Sequence, residues 1–259
     1  MQQYDAVILA GGVNSGSLRK YAPYESEALI FIGAYPMICY AFRAVRNCPR
    51  IRNIIIAGPV EALKELLKKE ENVFFVPAGD DAIDSFNNAV NCPGVGPLSE
   101  QVLILPTDVP FLNVEAIEDF IDQCEAQPAD FHYPLVTRAV NEKRFPGVKR
   151  TYFHLKEGVF TGGNLFMVRT AVADQCVKMA KKLVAKRKSP LAMARMFGFG
   201  LLLKFITRSL SIADAEELFK ETLGIRGKAI ISAFAEIGVD VDKPSDLKLA
   251  ETELAHVQL

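Results

Sequence analysis

Short unbroken apolar runs alternate with amphipathic stretches through the first half of the chain. Ala6–Leu9, Asn53–Ala57, Val73–Val76 and Val102–Leu105 each read as a strand buried on both faces. Between them, apolar positions recur at helical spacing over Pro36–Arg46, Val60–Glu70 and Asp81–Val90. Val114–Cys124 follows the fourth strand with Asn113 as its cap. This alternation predicts a parallel sheet covered on both faces. The rhythm changes after Gln127. Phe131–Val136 reads as a strand, Asn141–Val148 as polar and turn-rich, and Tyr152–Leu155 and Asn164–Val168 as further strands. A basic amphipathic helix is expected over Ala171–Lys188, and Pro190–Phe197 continues helically beyond the Ser189-Pro190 break. Ser211 with Asp214 opens a helix ending near Gly224, Ala229–Ala233 is a strand, and Ser245–His256 is a terminal helix. The pattern predicts one domain over residues 1–259, with a substrate-side elaboration at about 128–225.

Composition narrows the classes of function. The 259 residues are half hydrophobic and a quarter charged, with 30 basic and 31 acidic side chains, so no global field draws the chain to nucleic acid or to a membrane surface. Phosphate recognition, where present, must be local. The five cysteines are odd in number and lack a C-x-x-C, which predicts reduced thiols rather than a disulfide framework or a zinc knuckle. The N-terminus lacks the pattern of a secretory signal, and Met196–Ile206, the most apolar segment, is short and interrupted by Lys204, so it reads as core. A cytoplasmic location is expected.

Two strand ends carry candidate chemistry. Leu9-Ala10-Gly11-Gly12-Val13 ends the first strand in a glycine turn that lets backbone N–H groups approach a phosphate, and Arg19 and Lys20 follow to neutralise charge. It is neither a Walker loop nor a G-x-G-x-x-G fingerprint, and a tight connection is the plainer reading. The fourth strand ends in Pro106-Thr107-Asp108-Val109-Pro110, where two prolines fix the backbone around Asp108. In open α/β sheets ligands sit beyond the carboxyl ends of the strands, so the two breaks are expected to wall one site.

A third piece lies near the C-terminus. Gly238-Val239-Asp240-Val241-Asp242-Lys243-Pro244 places Asp240 and Asp242 on one side of an extended segment. Magnesium takes one or two carboxylates plus substrate phosphates, so Asp108 with Asp242 would suffice, while Asp246 flanks the last helix. Thr161-Gly162-Gly163-Asn164 reads either as a hairpin turn or as a close backbone wall for an acceptor. The histidines at 132, 154 and 256 have no metal-like spacing, and the lysines of the 171–188 helix read as solvated surface.

Leu9-Ala10-Gly11-Gly12, Gly33-Ala34-Tyr35-Pro36, Leu105-Pro106-Thr107-Asp108-Val109-Pro110 and Asp242-Lys243-Pro244-Ser245-Asp246 together resemble the MobA-like nucleotidyltransferases. The resemblance implies a Rossmann-like, three-layer sandwich of GT-A type on a mainly parallel mixed sheet. It implies transfer of a nucleoside monophosphate from an NTP to a small, phosphorylated acceptor, with release of pyrophosphate. By this similarity Asp108 and Asp242 match the Mg²⁺ ligands, Leu9 to Val13 with Thr107 hold the nucleotide, and Gly79 and Ser85 help hold the base. A homodimer is expected by analogy. One position departs from the pattern. Where the family carries a lysine at the α-phosphate, this chain has Glu27, within an E-A-L-I stretch similar to that of a bacterial subgroup. Three consequences are open: Arg19 or Lys20 assumes the role, Glu27 adds a metal ligand, or nucleotide is bound without transfer. A GT-A glycosyltransferase is the other rival class, although it would normally carry D-x-D at the central strand end.

Overall fold

The computed structural model describes residues 2–68, 70–186 and 199–258. β1 (Tyr4–Leu9) is followed by a two-stranded ribbon, β2 (Phe31–Ile32) and β3 (Tyr35–Pro36), and then by β4 (Ile51–Gly58), β5 (Val73–Pro77) and β6 (Gln101–Pro106). The helices between them are α1 (Met37–Asn47), α2 (Val60–Leu66), α3 (Ala82–Val90) and, after β6, α4 (Val114–Ala126). β5, β4, β1 and β6 lie side by side in that order, all parallel. The expected alternation is therefore present.

The second half extends the same sheet. β7 (Phe131–Thr137) leads into α5 (Arg138–Arg144), then β8 (Phe153–Leu155), β9 (Gly158–Gly162) and β10 (Phe166–Arg169). β10 runs antiparallel between β6 and β7. Further along β7, β9 pairs with Leu135–Thr137, while β11 (Gly227–Ser232) runs parallel to β7 along its full length. The result is a mixed, mostly parallel sheet of nine strands. Helices α6 (Ala173–Lys186), α7 (Phe199–Ile206), α8 (Ile212–Leu223) and α9 (Pro244–Glu253) complete the described chain.

Burial on both sheet faces explains the continuous apolar strands. Ala6, Ile8 and Ala10 face a core with Ile38 and Phe42 of α1 and Ile117 and Phe120 of α4. Val7 points the other way, into a core with Ile55, Phe86 of α3 and Val168 of β10. Each fully buried aliphatic or aromatic side chain contributes roughly 1.5–3 kcal/mol, so this double face is the main support of the site end of the sheet.

Several expectations are corrected. Asn141–Val148 is not simply turn: its first half belongs to α5, which Thr137 caps through its hydroxyl at 3.2 Å from the Val140 N–H, and which Arg138 and Glu142 brace as an i,i+4 pair. Met196–Ile206 does not behave as core where it is described, because Leu203, Phe205 and Ile206 of α7 are exposed. The 171–188 helix is not only solvated surface, since Lys181 pairs with Asp84 of α3. Arg187, Lys188 and the helix expected over 190–197 lie outside the described residues. The five cysteines are free thiols, with Cys48 and Cys124 buried. No helix among the described residues is long and apolar enough to cross a membrane.

Candidate nucleotide and metal site

Register brings the first two walls together. Leu9, the last residue of β1, lies beside Pro106, the last residue of β6, so the glycine turn and the Thr107-Asp108 turn leave the same end of the sheet as neighbours. The glycine loop is folded against residues 22–27. Asn14 N–H donates to the Glu25 carbonyl at 2.9 Å, Glu27 N–H to the Gly12 carbonyl at 3.0 Å, and the buried Asn14 amide to the carbonyls of Ala22 and Tyr24. Ala10, Gly11, Gly12, Val13, Arg19 and Ala78 help line a cleft of about 480 Å³. Its glycines are needed for space. A Cβ on Gly11 would stand 2.6 Å from the Ala78 Cβ, and one on Gly12 would collide with the Glu27 carboxylate. Arg19 donates to the Asn14 carbonyl at 3.2 Å and so belongs to this loop, whereas Lys20 is exposed on the 3-10 turn Ser17–Lys20 and does not line the cleft.

The next segment packs against the loop from the β5 side. Gly79 N–H donates to Ser85 Oγ at 3.0 Å, and Ser85 Oγ donates to the Asp81 carbonyl at 2.8 Å, which fixes the turn into α3. Asp81 caps that helix by accepting from the Ile83 and Asp84 N–H groups. Because Ser85 Oγ also lies next to Gly11, the segment expected to hold a base and the loop expected to hold phosphates are in contact.

The acidic residues converge. Val241 N–H donates to the Asp108 carbonyl at 2.9 Å, which ties the tail segment to the β6 turn. One carboxylate oxygen from each of Asp108, Asp240 and Asp242 lies within 4.8 Å of the others. The expected pair is thus present with a third member, Asp240. Asp108 Oδ1 is buried without a hydrogen-bond partner. Burial, reinforced by the charges of Asp240, Asp242 and Glu27, pushes the Asp108 carboxyl up to about 8. Asp242 is raised by burial and by Asp240, and Glu27 by burial and by Asp242. Glu27 therefore faces the same cluster. An all-oxygen donor set, an orphaned buried carboxylate oxygen and mutual repulsion that adds to burial in raising Asp108 and Asp242 fit a hard divalent cation. Asp246, by contrast, is buried at the start of α9, where it accepts from Asp242 N–H at 3.3 Å and from Lys243 Nζ at 3.0 Å.

The second glycine pair packs against the tail segment that leads into this cluster. It is not a hairpin turn: it carries the chain from β9 to β10 along one edge of β7. Gly163 N–H donates to the Pro134 carbonyl at 2.9 Å, and a Cβ on Gly162 would run into the Tyr133 hydroxyl. Asn164 is engaged by the tail, its N–H and side-chain nitrogen both donating to the Ile237 carbonyl at 2.9 and 3.3 Å. Thr161 is buried, with its methyl beside Gly238. Sequence reading missed Arg150, which is paired with Asp240. Its only signal was a basic residue two positions before an expected strand.

Comparison with known proteins gives the class to which this mixed α/β fold belongs. Residues 6–189 match the model of the MobA-like NTP transferase domain, and the chain belongs to that family. A solved structure described as a hypothetical transferase from Thermus thermophilus is 31% identical, with a TM-score of 0.80 over 95% of this chain and 100% of that one. The 4-diphosphocytidyl-2C-methyl-D-erythritol synthase of Anaerococcus prevotii shares the fold at 13% identity, with a TM-score of 0.59 over 98% and 99% of the two chains. A CMP:2-keto-3-deoxy-manno-octonic acid synthetase complexed with CTP does so at 12% identity and a TM-score of 0.62, over 98% and 99%. In sequence, a 2-C-methyl-D-erythritol 4-phosphate cytidylyltransferase of Bifidobacterium longum subsp. infantis is 26% identical over 125 residues. The match spans 45% of this chain and 42% of that protein, less than half the length of the curated relative.

Proposed function

We propose that the chain is a Mg²⁺-dependent nucleotidyltransferase that moves a nucleoside monophosphate from an NTP to a small, phosphorylated acceptor and releases pyrophosphate. The observation that supports this most is the convergence of Asp108, Asp240 and Asp242, with Asp108 Oδ1 orphaned, beside a loop in which Gly11 and Gly12 are too crowded for a Cβ. Asp108 and Asp242, with Asp240 beside them, would hold the ion, and a bound divalent cation supplies neutralisation of charge on the phosphates. The N–H groups of Gly11 to Val13 cradle the triphosphate, the Ala10 N–H being engaged by the Ala57 carbonyl at 2.7 Å, and Arg19 neutralises its outer oxygens. Gly79 and Ser85 border the base. Thr161, Gly162 and Gly163 form the wall against which the acceptor is held for in-line attack on the α-phosphorus. The CTP complex of the structural neighbour makes a cytidine nucleotide the first donor to try.

The test is pyrophosphate release from each of the four NTPs against a panel of sugar and polyol phosphates, with and without Mg²⁺. Metal-dependent release with at least one pair is the expected result, and NTP binding without turnover across a broad panel would refute it. That second outcome corresponds to a nucleotide-binding protein without transfer, a reading favoured by Glu27, whose carboxylate faces the acidic cluster where the family pattern has a cation.

A further inference from the structure

Three carboxyl groups gathered within 4.8 Å repel one another as they ionise, and Arg150 gives the cluster a counter-charge. Its side chain and that of Asp240 are 13% and 16% exposed, and a guanidinium nitrogen, Nη1, donates to Asp240 Oδ1. Arg150 is not locked there by a completed network. Its Nε is buried without an acceptor, so the side chain is held mainly by charge. Lys243, the other cation near Asp242, is committed to Asp246 at 3.0 Å. Tyr133, whose hydroxyl lies against Gly162, is near enough to feel the Arg150 charge. The guanidinium is thus paired to the acidic cluster and within electrostatic reach of the residue that packs on the second glycine wall.

We propose that Arg150 is a stand-in counter-ion: it occupies Asp240 while the site is empty, and a divalent cation displaces it, freeing its guanidinium for oxygen anions of the bound substrates. The inference rests on the metal-binding reading above, and it makes Arg150 a positioning residue that couples metal arrival to substrate binding. The ion gains a third carboxylate only when the ion pair opens, so Arg150 and the metal compete for Asp240.

The test uses Mn²⁺ alone, titrated into the full chain without nucleotide and followed by electron paramagnetic resonance of the free ion at fixed pH. Removing the competitor should tighten binding in Arg150→Gln by about fivefold, the scale of one partly exposed ion pair, while Arg150→Lys stays near the parent. Binding that is unchanged or weaker in a folded Arg150→Gln overturns the exchange. Where that variant does not fold, the unaltered chain still decides. The Arg150 Nε–H resonance, identified by its loss in Arg150→Lys, should shift on Mg²⁺ addition, and an unmoved resonance in a protein that binds the ion overturns the proposal. Absence of Mn²⁺ binding in every form removes the metal site and the exchange together. Absence of pyrophosphate release with normal Mn²⁺ competition instead removes only the catalytic reading and leaves the exchange supported.

Discussion

Replacing Asp108 by Asn separates function from stability, because the two should move in opposite directions. Burial and the surrounding carboxylates push the Asp108 carboxyl up to about 8, against 3.8 for an unperturbed aspartate. The sign follows from linkage. Below pH 3.8 the group is protonated in both states and contributes nothing. Between 3.8 and 8 the unfolded chain has released the proton and the folded chain has kept it, so stability falls steadily as pH rises, and it levels off above 8. At pH 7 the interval is about three units, which sets a ceiling of ~4 kcal/mol on the penalty, and solvent access and relaxation lower it to about half. Asparagine is isosteric and does not titrate, and its amide can donate to the neighbouring carboxylates. In urea melts with EDTA, Asp108→Asn should be about 2 kcal/mol more stable than the parent at pH 7 and indistinguishable from it at pH 4. The same substitution should abolish Mg²⁺-dependent pyrophosphate release and the stabilisation that Mg²⁺ with nucleotide gives the parent. A variant less stable than the parent at pH 7 to 8 would refute the reasoning, since it would mean that the carboxylate is satisfied in the fold.

Asp5 should behave oppositely. It is fully buried, and although burial raises its pKa, hydrogen bonds from Arg52, the Ser99 N–H and Asn53 outweigh this and hold the carboxyl below its usual range. Asp5→Ala should cost about 3 kcal/mol in urea melts at pH 7, with the difference shrinking as pH falls through the folded carboxyl's titration, and a neutral result would remove this network from the fold's support. Gly11→Ala places a Cβ 2.6 Å from the Ala78 Cβ, so calorimetry should find NTP binding weakened about tenfold by a backbone shift costing ~1–2 kcal/mol; unchanged affinity would move the phosphates off this loop. Glu27→Lys should tighten NTP binding several-fold at fixed Mg²⁺, because a like charge of ~1 kcal/mol becomes an attraction, and a loss of affinity would identify Glu27 as a metal ligand.

What could be read in the chain tracks the range of the interactions responsible. Unbroken apolar runs such as Ala6–Leu9 are consequences of burial on both faces, and that burial is written locally, so β1, β4, β5 and β6 were legible, as was the meeting of the Gly11 and Asp108 turns that parallel register enforces. Helix α5 was not, because it has no apolar stripe: a threonine cap, an Arg138–Glu142 pair and the buried Asn141 bonded to Tyr152 at 2.9 Å hold it. Leu203 and Ile206 of α7 show the converse, apolar side chains that are nevertheless exposed. At the site, the period of an extended segment put Asp240 and Asp242 on one side, yet nothing local distinguishes a carboxylate that waits for a cation from one that already has a partner. That difference lies in Arg150, which reaches Asp240 over a sequence separation of 90 and leaves its own Nε unpaired. The charge balance of the cluster is therefore a tertiary property: its acids could be found by pattern, and its counter-ion only by folding the chain.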